Sequence, residues 1–161
     1  MKIAMASDHA GFPVKDHLVR FLQLHGHEVI DLGTDSPDRR VDYPVTAQSV
    51  ADALLDGRAE RGILLCGSGV GVSIAANKIP GIYAAICHDI HSAHQGVEHD
   101  FMNVMVLGAR IIGPAVAEEL ATAFINAQPF TEERYARRFQ MVQAMEQKAA
   151  QNTGSEQDEQ A

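Results

Sequence analysis

Apolar positions along the chain fall into two alternating periods. Short, nearly continuous apolar runs lie at 3–7, 28–32, 62–66, 83–87 and 103–107, and each reads as a strand of a sheet covered on both faces. Between them the period lengthens to that of a helix. Segment 14–24 places Val14, Leu18, Val19, Phe21 and Leu22 on one side, and 45–55 repeats the pattern with Val45, Val50, Ala51, Leu54 and Leu55. A helix is expected to begin near Val70, and others over 89–98 and 114–126, the last opened by Pro114 at a favourable first-turn position. The alternation predicts an α/β fold, a Rossmann-like three-layer sandwich with a five-stranded parallel sheet between helices.

In such folds ligands sit beyond the carboxyl ends of the strands, where strand order reverses. The residues there are Asp8-His9, Gly33-Thr34, Gly67-Ser68-Gly69, His88-Asp89 and Gly108-Ala109-Arg110. Beyond Pro129 the pattern changes. Segment 131–148 reads as a C-terminal helix with Thr131 as its N-cap, and 149–161 is polar and acidic without an apolar anchor. A domain of 1–148 followed by a disordered tail of 149–161 is expected.

Composition narrows the possibilities. With 161 residues, 46% of them hydrophobic, one domain can build its core without disulfides or metal staples. The formal net charge of −8 argues against nucleic acid, which needs basic patches to neutralise phosphates. The two cysteines, Cys66 and Cys87, each end an apolar run and form no disulfide framework. The run from Lys2 to Ala6 enters a strand at once, with no signal segment, and no apolar stretch approaches the ~20 residues that span a bilayer. A cytoplasmic location away from membranes is the expectation.

Four segments can carry chemistry, each beside a plainer reading. In Cys66-Gly67-Ser68-Gly69-Val70-Gly71 a strand ends at a cysteine, a glycine-rich turn follows and a helix starts. Free N–H groups in such turns hold oxyanions, and cysteines beside helix starts ionise more readily; otherwise this is a tight turn with a structural cysteine. Asp8-His9 can bind sugar hydroxyls and phosphate, or Asp8 can simply cap a helix. His99, followed by Asp100, is suited to proton transfer, while His88, His91 and His94 recur at three-residue spacing without a convincing metal motif. Arg134 and Arg138, four apart on one helical face, can grip a phosphate with two guanidinium forks, or can pair with nearby glutamates. Arg110 is a further phosphate candidate.

Taken together, Ser7-Asp8-His9-Ala10-Gly11, Asp42-Tyr43-Pro44, the Cys66–Gly71 turn with Ala75-Ala76-Asn77-Lys78, Gly108-Ala109-Arg110 and the Arg134/Arg138 pair resemble the ribose-5-phosphate isomerase B and galactose-6-phosphate isomerase subunit family, from residue 1 to about 148. The resemblance implies an aldose–ketose isomerase that interconverts ribose 5-phosphate and ribulose 5-phosphate through an enediolate. It implies Cys66 as the base, oxyanion support from the amides of Gly67, Ser68, Gly69, Val70 and Gly71, and the Ser68 hydroxyl nearby. It assigns His99 to ring opening, Asp8 and His9 to substrate contact, and Arg110, Arg134 and Arg138 to phosphate. It also implies no metal or organic cofactor, and a homodimer, or a pair of such dimers, with sites at the subunit interface. One departure stands out: Asp100 follows His99, where many members have Asn.

Other readings are the same reaction on allose 6-phosphate, galactose 6-phosphate or erythrose 4-phosphate, and a non-catalytic module that binds phosphate ligands. A receiver domain would need an aspartate where Cys66 ends the third strand. A dinucleotide-binding fold would carry its GxGxxG after the first strand, and none follows Ser7.

Overall fold

The five apolar runs form five strands: β1 (Lys2–Ser7), β2 (Glu28–Asp31), β3 (Arg61–Cys66), β4 (Ala84–Ile86) and β5 (Val104–Gly108). In the computed structural model, which describes residues 1–158, they make one parallel sheet in the order β2-β1-β3-β5-β4. The helices are α1 (Phe12–Leu24), α2 (Tyr43–Leu55), α3 (Val70–Ala76), α4 (Ile90–Asp100), α5 (Pro114–Asn126) and α6 (Glu133–Asp158). No helix among the described residues is long and apolar enough to cross a membrane.

Alternation along each strand divides the core in two. In β1 and β3, Ile3, Met5, Ile63 and Leu65 pack with α1, α4 and α5 on one face. Ala4, Ala6, Leu64 and Cys66 pack with α2 and α3 on the other. Small residues bring α2 close to the sheet: a Cβ at Gly62 would lie 2.6 Å from Val50 Cγ1. This face matters for function, because Cys66 belongs to it.

The strand order reverses between β1 and β3. The chain first moves outward from β1 to β2, then returns to lay β3 on the other side of β1. The carboxyl ends of β1 and β3 therefore diverge from their helices and leave a crevice. Ser7 and Cys66 end these two strands, and Cys66 lines the crevice.

Several local expectations shift. Leu32, Tyr83, Cys87 and Asn103 lie just outside their strands. Val45 and Leu55, expected on the buried face of α2, are exposed; α2 begins at Tyr43 and buries Thr46, Ala47, Val50, Ala51 and Ala53 instead. Thr131 is not an N-cap, since α6 starts at Glu133, and α6 runs past residue 148 to Asp158. The segment expected to be a disordered tail is thus helical to Asp158, and 159–161 lie outside the described residues. Its Ala, Gln and Glu residues are good helix formers, and extending an existing helix is far easier than starting one.

Two buried cations escape any hydrophobic pattern. Lys15 is 1% exposed and its Nζ meets Asp31 Oδ2 at 2.6 Å. Arg61 donates to the Phe124 carbonyl and, at 2.6 Å, to that of Ala127. Each satisfies a charge that burial would otherwise penalise heavily.

Cys87 behaves as a core residue. It is fully buried, against Met102 Sδ at 3.9 Å. Burial, with Asp89 adding its negative charge, pushes its thiol from 9.0 up to about 11. The folded value lies above the unfolded one, so this contribution to stability is complete below about pH 9 and is lost as pH rises through about 11. Thermal melts between those pH values should show wild type losing on the order of 2 kcal/mol more than Cys87→Ala. At neutral pH a brief alkylation of native protein should label Cys66 and spare Cys87, as peptide mass spectrometry would show.

Candidate active site

The crevice is built from three strand ends. After β1, the Asp8 N–H donates to the Leu65 carbonyl at 3.3 Å, and Asp8 Oδ1 accepts from the Gly11 N–H at 2.9 Å. Asp8 thus closes the turn that leads into α1 and borders the cleft. The N-cap of α1 is Gly11, with no side-chain cap bond, so Asp8 is not the helix cap of the plainer reading. Gly11 is pressed against β3: a Cβ there would sit 2.8 Å from the Leu65 carbonyl. His9 lines the cleft with its Nδ1 buried, and among the described residues neither that atom nor the buried Ser7 Oγ has a hydrogen-bond partner.

After β3 the chain folds over the cysteine. Gly69 adopts a left-handed conformation (φ 84°), which any residue with a side chain would resist. Its N–H thereby donates to Cys66 Sγ at 3.1 Å, while the Val70 N–H donates to Ser68 Oγ at 3.3 Å. The end of β5 fastens the turn from below: Ala109 N–H donates to the Cys66 carbonyl and Arg110 N–H to that of Gly67, both at 2.9 Å. The Arg110 side chain runs beside Gly67, its Cδ 3.5 Å from where a Cβ would stand.

The resulting cavity, about 480 Å³, gathers Asp8, His9, Cys66, Gly67, Ser68, Gly71 and Arg110, with Tyr43 and Ile111 at its border. Tyr43 lies flat over Gly71, at 3.0–3.2 Å from a would-be Cβ. No role was expected of its ring; the Asp42-Tyr43-Pro44 motif was the available signal. Gly69 is buried beneath the turn and Val70 faces outward.

The remaining expected residues form a second group elsewhere on the chain. Asp89 caps α4, accepting from the Ser92 N–H at 2.8 Å and the Ser92 hydroxyl at 2.7 Å; these bonds hold its carboxyl below the usual range. The far end of α4 carries His99 and Asp100. The His99 ring stacks on Tyr135 of α6 with centroids 4.4 Å apart, and the Arg134 guanidinium lies 4.6 Å from that same tyrosine ring. Arg138 and Asp100 border a separate cavity of about 410 Å³, walled by Cys87, Met102, Phe139 and Val142. The two cavities share no residue.

Phe101 ends α4 in a left-handed conformation (φ 58°), the one described non-glycine residue with positive φ. A side chain there costs about 1–2 kcal/mol. Its ring stacks on Phe139 of α6, centroids 4.6 Å apart, so the strained cap also anchors the helix that carries both arginines. The histidine series is dispersed: His88 Nε2 accepts from the Gly108 N–H at 2.9 Å, His94 pairs with Glu98 at 2.8 Å, and His91 packs edge-on against His94.

A parallel α/β sheet whose switch point holds a buried thiol bonded by the amide of a glycine turn defines a class, and comparison with known proteins agrees. The profile of the ribose/galactose isomerase family matches residues 3–142, so the chain belongs to this family and is a sugar-phosphate isomerase. It is 42% identical to ribose-5-phosphate isomerase B of Escherichia coli, over 91% of this chain and 97% of that protein. It is 41% identical to the D-erythrulose-4-phosphate isomerase of Pectobacterium atrosepticum, over 80% and 84%. The solved structure of Clostridium thermocellum ribose-5-phosphate isomerase B superposes with a TM-score of 0.89 at 40% identity, covering 92% of this chain and 99% of that one.

Proposed function

We propose that the enzyme interconverts ribose 5-phosphate and ribulose 5-phosphate, with Cys66 carrying the proton between C2 and C1. The observation behind this is the Gly69 N–H held on Cys66 Sγ at the floor of the cleft, a bond that a thiolate accepts more strongly than a thiol. Sγ takes the C2 proton of the open-chain aldose. The C1 carbonyl oxygen then becomes the enediolate oxygen, within reach of the turn amides and the Ser68 hydroxyl. A proton passes from the C2 hydroxyl to the C1 oxygen, and the carbon-bound proton, returned by Sγ to C1, yields the ketose. Asp8 and His9 bind sugar hydroxyls, and Arg110 beside Gly67 meets the phosphate. The cycle consumes no electrons and needs no cofactor.

His99, Asp100, Arg134 and Arg138 enter this scheme from a second subunit. Each chain carries a proton-transfer half in the cleft and, outside it on α4 and α6, a ring-opening and phosphate half. Both halves are bordered by exposed apolar side chains: Val70, Ile74 and Ile111 near the first, Met141, Val142 and Met145 near the second. Such surface is suited to burial between copies, and a two-fold homodimer, alone or as a dimer of dimers, brings one half of each copy together twice. The catalytic unit is 1–148; deleting 151–161 should leave rate and melting temperature unchanged.

A second reading is the same chemistry on a tetrose phosphate. It draws on Asp100 and on a nearly equal identity to a D-erythrulose-4-phosphate isomerase. Rates on ribose 5-phosphate, allose 6-phosphate, galactose 6-phosphate and erythrose 4-phosphate, measured side by side, decide the substrate. An Asp100→Asn variant that gains activity on ribose 5-phosphate would point away from the pentose. Erythrose 4-phosphate cannot close a furanose, because its O4 carries the phosphate. His99→Ala should therefore slow ribose 5-phosphate turnover by about 10²-fold or more and erythrose 4-phosphate turnover far less. Equal losses would remove His99 from ring opening.

A further inference from the structure

Gln95 stands one helical turn before His99 on α4, and its side-chain nitrogen contacts two groups at once. It lies 2.8 Å from His99 Nδ1 and 3.3 Å from Asp100 Oδ2. Nothing in the family resemblance gives this residue a role. The Asp100 carboxylate accepts hydrogen bonds and donates none. Of the two ends of the Gln95 amide, only the NH₂ can face it; the carbonyl oxygen there would set two acceptors against each other. That orientation decides the next contact, since the same NH₂ then donates to His99 Nδ1.

We infer that Gln95 is a positioning residue, oriented by Asp100, that holds His99 as the tautomer with its proton on Nε2. A neutral imidazole has one N–H and one acceptor nitrogen. With Nδ1 engaged as acceptor, the proton resides on Nε2. Ring rotation is blocked as well: one face is stacked on Tyr135 and Phe130 packs at a tilt with its centroid 5.2 Å away. No described residue bonds Nε2, so this N–H is the group the ring presents outward.

The inference rests on the reading of His99 as the ring-opening group and sharpens it. Opening a furanose breaks the bond between C1 and the ring oxygen, removes a proton from the anomeric hydroxyl and adds one to the ring oxygen. A ring fixed with Nε2–H outward donates a hydrogen bond to the ring oxygen as charge develops there, while bound water carries the proton from the anomeric hydroxyl to that oxygen. His99 thus acts as a neutral donor and ends the step with its own proton in place. It also gives Asp100 a purpose. An asparagine there could offer either end of its amide to Gln95, whereas the carboxylate admits one orientation alone.

The test is nitrogen-15 NMR of the full-length protein, with the His99 ring signals assigned by their absence in His99→Gln. Wild type should show a protonated Nε2 and an unprotonated Nδ1. Gln95→Leu removes the donor and should give mixed tautomers. Gln95→Glu replaces it with an acceptor and should move a proton onto Nδ1. A protonated Nδ1 in neutral wild-type His99, or an unprotonated Nδ1 retained in both variants, overturns the inference. Kinetics supply the second arm: Gln95→Leu should slow ribose 5-phosphate turnover about tenfold and erythrose 4-phosphate turnover far less. Equal slowing of both counts against the inference. The ring-opening reading fails separately, if His99→Ala itself loses both activities equally while the tautomer pattern stands.

Discussion

Cys66→Ala is expected to lower isomerase turnover by at least about 10³-fold and to stop exchange of the substrate C2 hydrogen with solvent. Asp8 and His9 also line the cleft but follow β1, whereas Cys66 ends β3 and its Sγ accepts from the glycine-turn amide. The Gly69 N–H that now meets Sγ would remain, and a water could take its bond. Removing one buried sulfur should cost about 1 kcal/mol, too little to unfold the protein. The measurement pairs steady-state rates with calorimetric binding of a sugar phosphate and a thermal melt. Lost turnover with retained binding and folding supports Cys66 as the base. Turnover close to that of wild type would place the base elsewhere.

The second large effect concerns the two separated halves. Cys66→Ala protein and Arg134→Ala/Arg138→Ala protein should each be inactive, yet a mixture of them, after confirmed subunit exchange, should recover about a quarter of wild-type activity. Half of the dimers are then mixed, and each carries one intact site of its two. The Arg138 cavity and the Cys66 cleft share no residue within a chain, which is why the arginines are expected to act across the interface. If they acted within their own chain, every mixed dimer would have two broken sites and the mixture would stay inactive. The same mixing with Arg110→Ala should fail, since Arg110 lies beside Gly67 in the same chain. A fully active monomer in sedimentation at assay concentration would overturn the shared-site arrangement.

Much of the first half-site was legible in the sequence because its signals are local. A buried strand that stops at Cys66, a glycine-rich turn and a helix start are contiguous, and each obeys a short-range rule. The left-handed Gly69 is an instance: the turn demands positive φ, and glycine supplies it without strain. Helix faces were less legible. Val45 and Leu55 look like core residues by period alone, yet α2 turns its small residues toward a sheet face rich in alanine and leaves both exposed. Lys15 is buried against Asp31, a pairing between separate elements that no periodicity records.

Taken by itself, the sequence determined the α/β alternation, the all-parallel sheet and the identity of the strand ends where ligands gather, because strand and helix periods and glycine turns depend on near neighbours. Only the tertiary structure decided the order β2-β1-β3-β5-β4, which opens the crevice beyond the carboxyl ends of β1 and β3. It alone placed Tyr43 over Gly71, joined Gln95 to His99 and Asp100, and left His99, Arg134 and Arg138 outside the lining of the Cys66 cleft. These facts depend on which surfaces meet after the chain has folded back on itself. Such meetings follow from packing and hydrogen bonding between residues distant in sequence, and no local period encodes them.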